Sequence, residues 1–160
     1  MSQEDHRRED RSLVKVVIRL DEADWHDHAT EAVWAAPVGP RWFRIRSVPF
    51  YAYGLSYDDT VAALETADGR LVDGVLGRGG HSTYRLFVTD GEQLKLFPDC
   101  WGPLELLGCT LERATARLYA VDIPPEADIR EAYRLLEVGQ AEGVWDFEEA
   151  HMGHRLDPSG

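Results

Sequence analysis

The sequence predicts an α+β protein in which an N-terminal antiparallel β meander or small barrel packs with a C-terminal ferredoxin-like split βαβ unit. Short β-branched runs fill the first half, and the pair Asp68-Gly69 between two of them is a strong hairpin signal. After Gly80 the patterns follow the order strand, helix, strand, strand, helix, strand, which is the order of a split βαβ unit. No linker composition separates the halves, so we expect one compact body.

Three strands are predicted in the first fifty residues. Leu13–Leu20 is rich in β-branched residues and partly alternates between apolar and polar positions. An acidic loop follows at Asp21–His28. The glycine and prolines of Pro37–Pro40 predict a turn between two further strands, Glu31–Ala36 and Trp42–Val48.

The predicted hairpin comes next and completes the first half. It joins Thr60–Thr66 to Leu71–Leu76 through Ala67–Arg70. The second half is predicted to contain four more strands, which are Thr83–Val88, Thr110–Ala114, Ala116–Ile123 and Val144–Glu148.

Two helices are predicted among those strands. The segment Gly91–Leu107 begins as a helix, but Pro98 and Pro103 lack the N–H donor that a helix needs, so a short or broken helix is expected. A second helix is predicted to open with Pro124–Asp128 and to run to about Val138. Pro125 suits the first turn, and the acidic Glu126 and Asp128 suit the positive end of the helix dipole. Its predicted buried face has helical spacing and consists of Ile129, Ala132, Tyr133 and Leu136.

The chain is predicted to divide into four regions. Residues 1–12 are polar and are expected to form a disordered leader. Residues 13–80 form the β-rich half and residues 81–152 the ferredoxin-like half. Residues 153–160 are expected to be a flexible tail.

The acidic charge balance restricts the possible partners. A formal net charge of −12 repels nucleic acid and anionic membrane surfaces, whereas it permits a basic protein or peptide partner. The net charge does not indicate an oligomeric state. No apolar run approaches the ~20 residues of a membrane helix, and no signal peptide is visible. With Cys100 and Cys109 as the two cysteines, we predict a reduced cytoplasmic protein.

The segment Gly79–Arg85 concentrates polar chemistry. A carboxylate from Asp58 or Asp59 can hold the His81 imidazole in one tautomer, so that the imidazole acts as a general base. The candidate catalytic residues of an enzyme are therefore His81, Asp58 and Asp59. The structural alternative is that His81 caps a turn at Gly79-Gly80, while the two aspartates bond to the backbone.

Candidate binding residues lie both in this segment and among the aromatic residues of the first half. Arg85 can bind a carboxylate or a phosphate with two parallel hydrogen bonds. On a strand that begins near Ser82, Tyr84 faces the same way as Ser82, and Arg85 faces the other way. Alternation in the first half directs some aromatic rings outward, toward a partner. The predicted binding residues are Ser82, Tyr84, Arg85, Tyr57, Trp42 and Tyr53.

No metal or other cofactor is expected. The possible ligands in loop or tail positions are Asp24, His26, His28, His151 and His154. Their spacing lacks the further ligands that complete a set. Cys109 is expected to be buried, Cys100 is expected in a proline-rich turn that can be exposed, and neither has a basic neighbour in sequence to activate it.

Several short segments along the chain, taken in their order, resemble the landmarks of a known family. In this chain they are Val14–Val16, Val48–Phe50, Gly54–Asp59, Gly80–Arg85, Leu107–Cys109, Ala120–Pro124 and Glu142–Trp145. As an ordered set over about residues 14–149, they resemble the family called domain of unknown function 4265. The resemblance implies a small soluble bacterial protein without an established activity. The chain departs from the family pattern at Phe97–Pro103, where prolines replace a more regular helix.

Two functions from different classes fit these observations. The leading one is a non-enzymatic cytosolic protein- or peptide-binding module of accessory, regulatory or immunity type, which the acidic composition and the many aromatic residues favour. The alternative is a small general acid/base enzyme, hydrolase-like, centred on His81 with Asp58 or Asp59. Ser82 lacks the Gly-x-Ser-x-Gly context of a serine hydrolase, and no phosphate-binding glycine loop is present.

Overall fold

A computed structural model describes residues 12–156, and within them the chain forms two sheets and two α-helices. The strands of the first sheet are β1 (Val14–Arg19), β2 (Thr30–Gly39), β3 (Trp42–Ile45), β4 (Thr60–Thr66) and β5 (Gly69–Gly77). The strands of the second sheet are β6 (Ser82–Val88), β7 (Thr110–Arg113), β8 (Leu118–Ile123) and β9 (Trp145–His151). The helices are α1 (Phe97–Leu106) and α2 (Ile129–Ala141). The predicted α+β class is confirmed.

The first sheet closes into a barrel because β1 pairs with two strands. It is antiparallel to β2 and parallel to β5. Alternate side chains point inward and form the barrel core. Val16, Ala35, Ile45 and Val61 are core side chains without exposed surface. The predicted hairpin is confirmed, since β4 and β5 pair along their lengths on either side of Ala67-Asp68.

The turn predicted at Pro37–Pro40 is shorter than expected. β2 continues to Gly39, and the chain reverses in the two residues that follow. β2 pairs with β1 only as far as Ala35, so Pro37 lies where the strand has one neighbour, β3. Proline is tolerated there because the missing N–H costs no bond on the open side, and a register shift relieves the pairing. β3 likewise ends earlier than predicted, at Ile45.

The second sheet has the strand order β7-β8-β6-β9, and all its neighbouring strands are antiparallel. The predicted pairing of the strand at 83–88 with the strand at 116–123 is confirmed, because β6 and β8 pair from Ser82 to Phe87. Side chains from β6, β8 and both helices form one core, to which Tyr84, Leu86, Leu104 and Leu136 contribute. β6 therefore lies at the centre of the sheet, and all its residues except Phe87 are buried.

The first predicted helix is short, as expected. A 3₁₀ helix spans Glu92–Leu96, and only Phe97–Leu106 is α-helical. Pro98 lies in the first turn of α1, where an N–H has no helical partner to lose. Pro103 lies inside α1 and removes one bond of the helical ladder. Neither α1 nor α2 is long and apolar enough to cross a membrane.

The second helix begins later than predicted, at Ile129. Asp128 caps it, because its carboxylate accepts the backbone N–H groups of Arg130 at 3.0 Å and Glu131 at 3.2 Å. The acidic start that the sequence indicated is thus a cap outside the helix. Residues 124–128 form the turn that leads into it.

The buried face of α2 differs from the predicted one at one position. Ile129, Ala132 and Leu136 are buried as predicted, but Tyr133 is 42% exposed, and Leu135 is buried instead. The buried stripe runs on to Gly139, where the indole of Trp145 packs so closely that a Cβ would lie 2.2 Å from the ring. Tyr133 is therefore left at the edge of the core with half of its ring exposed.

The first two residues of the predicted flexible tail, Gly153 and His154, are fixed by hydrogen bonds to β6. The backbone N–H groups of Gly153 and His154 donate to the Ser82 hydroxyl at 2.9 and 3.2 Å. Residues 157–160 of that tail and residues 1–11 of the predicted leader lie outside the described residues.

Candidate functional site

Arg85 on β6 connects the sheet to the barrel half. Its side chain has no exposed surface, and its guanidinium donates to the backbone carbonyls of Tyr51, at 3.3 Å, and Ala52. It also lies 3.4 Å from a carboxylate oxygen of Glu148 and 4.8 Å from the ring centre of Tyr53. Predicted as a binding residue, Arg85 makes these contacts within the protein and presents no surface to a ligand.

Glu31 on β2 holds the same loop from the opposite side. Its carboxylate accepts the consecutive backbone N–H groups of Phe50, Tyr51 and Ala52 at 2.6, 3.0 and 2.9 Å. Residues 50–52 thus lie between a carboxylate of the barrel and a guanidinium of the sheet. We call Glu31, residues 50–52 and Arg85 the loop clamp. Burial lowers the pKa of Arg85, and the nearby charges, Glu31 included, partly offset that effect.

Asp59 has the structural role that the sequence left open as an alternative. Its buried carboxylate accepts the backbone N–H groups of Ser56 at 2.9 Å and Gly79 at 3.0 Å. It also forms an ion pair with Arg78 at 2.9 Å. Gly79 has to be glycine for this approach, since a Cβ there would lie 2.6 Å from the carbonyl oxygen of Asp58.

His81 pairs with Asp122 rather than with Asp58 or Asp59. Its Nδ1 lies 2.9 Å from both carboxylate oxygens of Asp122. The pairing follows from the sheet, because β6 and β8 place Thr83 opposite Asp122 and so bring the residue before β6 beside that carboxylate. Asp58 instead forms an ion pair with Arg46 at 3.1 Å. Since a carboxylate only accepts, the proton of a neutral His81 lies on Nδ1.

The surroundings of His81 favour its charged form. Burial by itself lowers the pKa of the imidazole, but the hydrogen bond to Asp122 and the charges of Asp122, Asp58 and Glu126 outweigh it, so the pKa lies above its ordinary value. The side chain is mostly buried, and its ring lies edge-on to Tyr57 with 5.2 Å between ring centres. The pair therefore favours the protonated imidazole and leaves little surface for a substrate to approach.

The Ser82 hydroxyl is engaged on all sides. It lies 2.6 Å from Nδ1 of His154, whose Nε2 lies 2.8 Å from the carbonyl of Pro124. With its proton on Nε2, His154 donates to the carbonyl of Pro124, and its Nδ1 accepts from the Ser82 hydroxyl. The same hydroxyl accepts the backbone N–H groups of Gly153 and His154. Ser82 has no exposed surface. This predicted binding residue therefore anchors the C-terminal segment.

Neither a metal site nor a reactive thiol is formed by the described residues. Across residues 12–156, no group of three or more His, Cys, Asp or Glu side chains is placed to hold a metal ion. Cys100 and Cys109 are free and buried, and Cys100 lies in α1 rather than in a turn. Burial raises the pKa of both thiols, that of Cys109 to about 12, which leaves them protonated at neutral pH.

A cavity of about 390 Å³ lies between α2 and the C-terminal end of β9. We call it the α2–β9 cavity; its lining is Tyr84, Ile129, Arg130, Tyr133, Glu149, Met152 and Leu156. The Tyr84 hydroxyl donates to Glu149 at 3.0 Å, and burial and the Glu149 charge raise the pKa of Tyr84. Tyr84 is thus a neutral donor at the base of the cavity. Most of the lining is apolar, with the Glu149 carboxylate at its edge.

Exposed aromatic side chains surround Glu148 on the opposite face of β9. The Tyr53 hydroxyl donates to the Glu148 carboxylate at 2.8 Å, and Nε1 of Trp25 lies 3.1 Å from the same oxygen. Tyr53 and Trp25 are 42% and 47% exposed. The outward position predicted for Tyr53 agrees with this exposure, whereas the loop residue Trp25 was not among the predicted binding residues.

Trp42 lies apart from this region, on the outer wall of the barrel. It is 51% exposed, while its neighbour Phe43 points into the core, as the alternation predicted. It borders a shallow cavity with Leu76. The predicted binding residues therefore do not converge on one site.

Several important residues were missed by reasoning from the sequence. Asp122 and Glu31 were absent from the predicted site, although each is a carboxylate at a buried position of a strand. A charge within the apolar run of β8 was a usable signal, because a buried charge requires a partner. The aromatic side of the α2–β9 cavity was missed because Tyr133 was assigned to the core.

Comparison with known proteins gives a family and a fold. A family model described as "Domain of unknown function (DUF4265)" matches residues 31–147, more than half of the chain. A solved structure described as the novel crystal structure of a hypothetical protein from Neisseria gonorrhoeae is similar, with a TM-score of 0.72 and 18% identity. The match covers 88% of this chain and 96% of that one, and at this identity it establishes the fold alone. No protein of curated function matches the chain.

Proposed function

The chain belongs to the family described as a domain of unknown function (DUF4265), and we propose that this member is a non-enzymatic protein- or peptide-binding module of accessory, regulatory or immunity type. The α2–β9 cavity is the observation that carries the proposal. Its volume of about 390 Å³ and its largely apolar lining suit a side chain inserted by a partner. Aromatic residues are the usual anchors of such contacts, and Tyr133 presents half of its ring at the rim.

The other polar candidates support binding over catalysis. Asp59, Ser82 and Arg85 are buried and are bonded to backbone groups of the protein itself. A nucleophile or a substrate-binding cation needs at least one group directed at the substrate. Their contacts join the barrel, the sheet and the C-terminal segment, so they build a scaffold that presents the cavity.

Replacing the rim aromatic tests the proposal. Tyr133→Ala removes the exposed ring but leaves the buried stripe of α2 intact, so the variant should fold and lose partner affinity by about 30-fold, the effect of an anchor worth ~2 kcal/mol. The partner is first isolated from native cell extract and purified, and its Kd is then measured by calorimetry.

The matched control is Leu106→Ala, which truncates a side chain that is 90% exposed on α1, away from the cavity. Equal affinity of the wild type and both variants would show that the cavity is not the binding site. A wild-type pull-down that retrieves no protein binding with measurable affinity would contradict the proposed function itself.

A second candidate function, general acid/base chemistry, is favoured by one observation. Asp122 fixes His81 through Nδ1, which leaves Nε2 as the atom that can exchange a proton with a substrate. In this form the hydrolase-like alternative uses Asp122 in place of Asp58 or Asp59. The ring of Tyr57 packs edge-on against the imidazole, with 5.2 Å between ring centres.

The pH dependence of stability tests the His81–Asp122 pair, and a hydrolysis assay separates a structural His81 from a catalytic one. The pKa of His81 is raised above the ~6.5 of the unfolded chain, so its stabilisation is complete below pH ~6.5 and is lost as the pH rises through the raised pKa. Urea unfolding of the wild type should show this decline, and His81→Gln should remove it. As an enzyme, the wild type should also hydrolyse p-nitrophenyl esters or phosphodiesters at a rate that His81→Gln lowers about 100-fold or more. Equal background rates for both proteins would eliminate this candidate.

We further propose that residues 82–151 form the ferredoxin-like unit and that the protein is bacterial and cytoplasmic. The strand order β7-β8-β6-β9, which numbers 2-3-1-4 within the unit, and the helix after each of its first and third strands support the first part. Two free cysteines support a reducing compartment. The family match supports a bacterial source, because the family resemblance implies a bacterial protein.

A further inference from the structure

We propose that the free edge of β9 binds its partner by strand addition, and that the partner is an extended peptide segment carrying basic residues at alternate positions. The inference rests on the proposed binding function and specifies how that site works and what it takes. The groups that carry it are the backbone of residues 145–149, the aromatic rings on both faces of the edge, and the local charge.

The backbone of β9 presents unused hydrogen-bonding groups on its outer side. Val88 lies opposite Trp145, and the Thr89 N–H donates to the carbonyl of Val144 at 2.9 Å. In an antiparallel ladder this makes Val88 and Trp145 a non-hydrogen-bonded pair, whose N–H and C=O groups point away from each other. The same holds at every second residue, so the backbone groups of Trp145, Phe147 and Glu149 face outward.

The outer side of β9 is open over a defined length. Within residues 12–156, β9 has one strand neighbour, β6. The barrel half reaches the edge at Ala150, whose carbonyl accepts the Gly54 N–H at 2.9 Å. The five residues before Ala150 therefore form the stretch without a strand neighbour, which spans about 17 Å at ~3.3 Å per residue. Within it, the Gln140 side chain of α2 lies 3.4 Å from the Asp146 carboxylate.

Exposed rings flank this stretch on both faces of the sheet. On the helix side, the ring of Tyr133 packs edge-on to Phe147, with 5.6 Å between ring centres, at the entrance of the α2–β9 cavity. On the barrel side, Trp25 and Tyr53 are bonded to Glu148. A strand added at the edge would direct alternate side chains toward these two aromatic surfaces, and one of them toward the cavity.

The negative charge around the free edge of β9 favours a basic partner. Residues 126–151, which contain α2 and β9, hold eight carboxylates and two guanidinium groups, a net charge of −6 out of −12 for the whole chain. Asp146, Glu148 and Glu149 lie on β9 itself, and of these the Glu148 carboxylate is already paired with Arg85. A second copy of this chain would bring the same carboxylates against them, and like charges on paired strands are destabilising. The edge therefore favours a basic partner over self-association.

Synthetic peptides of ten residues test both the mode and the chemistry. The probe alternates valine and lysine, and its acidic counterpart alternates valine and glutamate. Fluorescence titration should show at least about tenfold tighter binding of the basic peptide, weakening as salt rises. Two further probes carry N-methyl groups at alternate backbone nitrogens, in the two possible registers. One register removes the donors that face β9 and should lose at least about tenfold in affinity, whereas the other register should bind as the parent does.

Amide hydrogen exchange of the protein provides the second measurement. Binding should slow exchange at Phe147 and Glu149, whose N–H groups point outward, while Asp146 and Glu148 are already protected by β6. Binding that is sensitive to Tyr133→Ala, but with both N-methyl registers equal and exchange unchanged, would overturn strand addition and leave the proposed function standing. Preference for the acidic peptide would overturn the assigned partner chemistry. Failure of every peptide to bind, with a purified partner still bound through Tyr133, would also refute strand addition by an isolated basic segment.

Discussion

Arg85→Met is expected to lower the free energy of unfolding by about 3–5 kcal/mol, the usual cost of breaking a buried charged network from one side. Methionine fills much of the same volume, so the loss reports the hydrogen bonds rather than a cavity. The carbonyls of Tyr51 and Ala52 lose their donor, and the Glu148 carboxylate loses its buried cation. Urea unfolding followed by tryptophan fluorescence measures the change.

Two further variants make the Arg85 result interpretable. Arg85→Lys keeps the charge but not the planar fork, and should be intermediate. Arg134→Met removes an exposed partner of Glu131 and should leave stability unchanged. A loss below about 1 kcal/mol for Arg85→Met would mean that the loop clamp contributes little to the folded state. If Arg85→Met does not fold, the free energy of unfolding of Arg85→Lys still shows how much stability the planar guanidinium adds to that of the charge alone.

Glu31→Ala should have the second-largest effect, because one carboxylate serves three N–H donors. Removing it leaves the N–H groups of residues 50–52 without their acceptor, and an unsatisfied buried donor costs roughly 1–3 kcal/mol. Some donors will gain water, so we expect a total loss of about 3–4 kcal/mol. Thermal and urea unfolding should agree on the order wild type, Glu31→Gln, Glu31→Ala, since glutamine retains one acceptor oxygen.

The control for Glu31 is Glu65→Ala, which removes an exposed carboxylate from another strand of the same barrel. Its change should stay within about 0.5 kcal/mol. Combining Arg85→Met with Glu31→Ala should give less than the sum of the two losses, because both side chains hold the backbone of Tyr51 and Ala52. Strict additivity would show that the two sides of the clamp act independently.

The fold class was predictable because its signals are local. A β-branched, partly alternating run identified β1, and the Asp68-Gly69 pair identified the β4–β5 hairpin. The end of β2 was not predictable from turn chemistry. Pro37 is tolerated in the strand because the pairing of β2 with β1 stops at Ala35, which lies opposite the first residue of β1. The start of α2 was misplaced because acidic residues before a helix fit both a first turn and a cap.

The site was harder to predict because its contacts join distant segments. The sequence suggested Asp58 or Asp59 as the carboxylate partner of His81, but sequence alone does not say which carboxylate lies beside the imidazole. The register of β6 with β8 brings Asp122 to the imidazole instead. Tyr133 was mispredicted for another reason. The spacing of apolar residues predicts which side of a helix faces the core, but it does not show which residues lie at the border of that buried side.

The central position of β6 has a consequence for synthesis of the chain on the ribosome. β6 is made first among the strands of its sheet, yet its two neighbours, β8 and β9, are made much later. After β8 has emerged, the chain to the end of β9 takes roughly 1–6 s to appear at ordinary elongation speeds. Throughout that interval one side of β6 is open to pairing with other nascent or misfolded chains. We therefore expect the yield of correctly folded protein in the cell to depend on how quickly residues 124–151 follow.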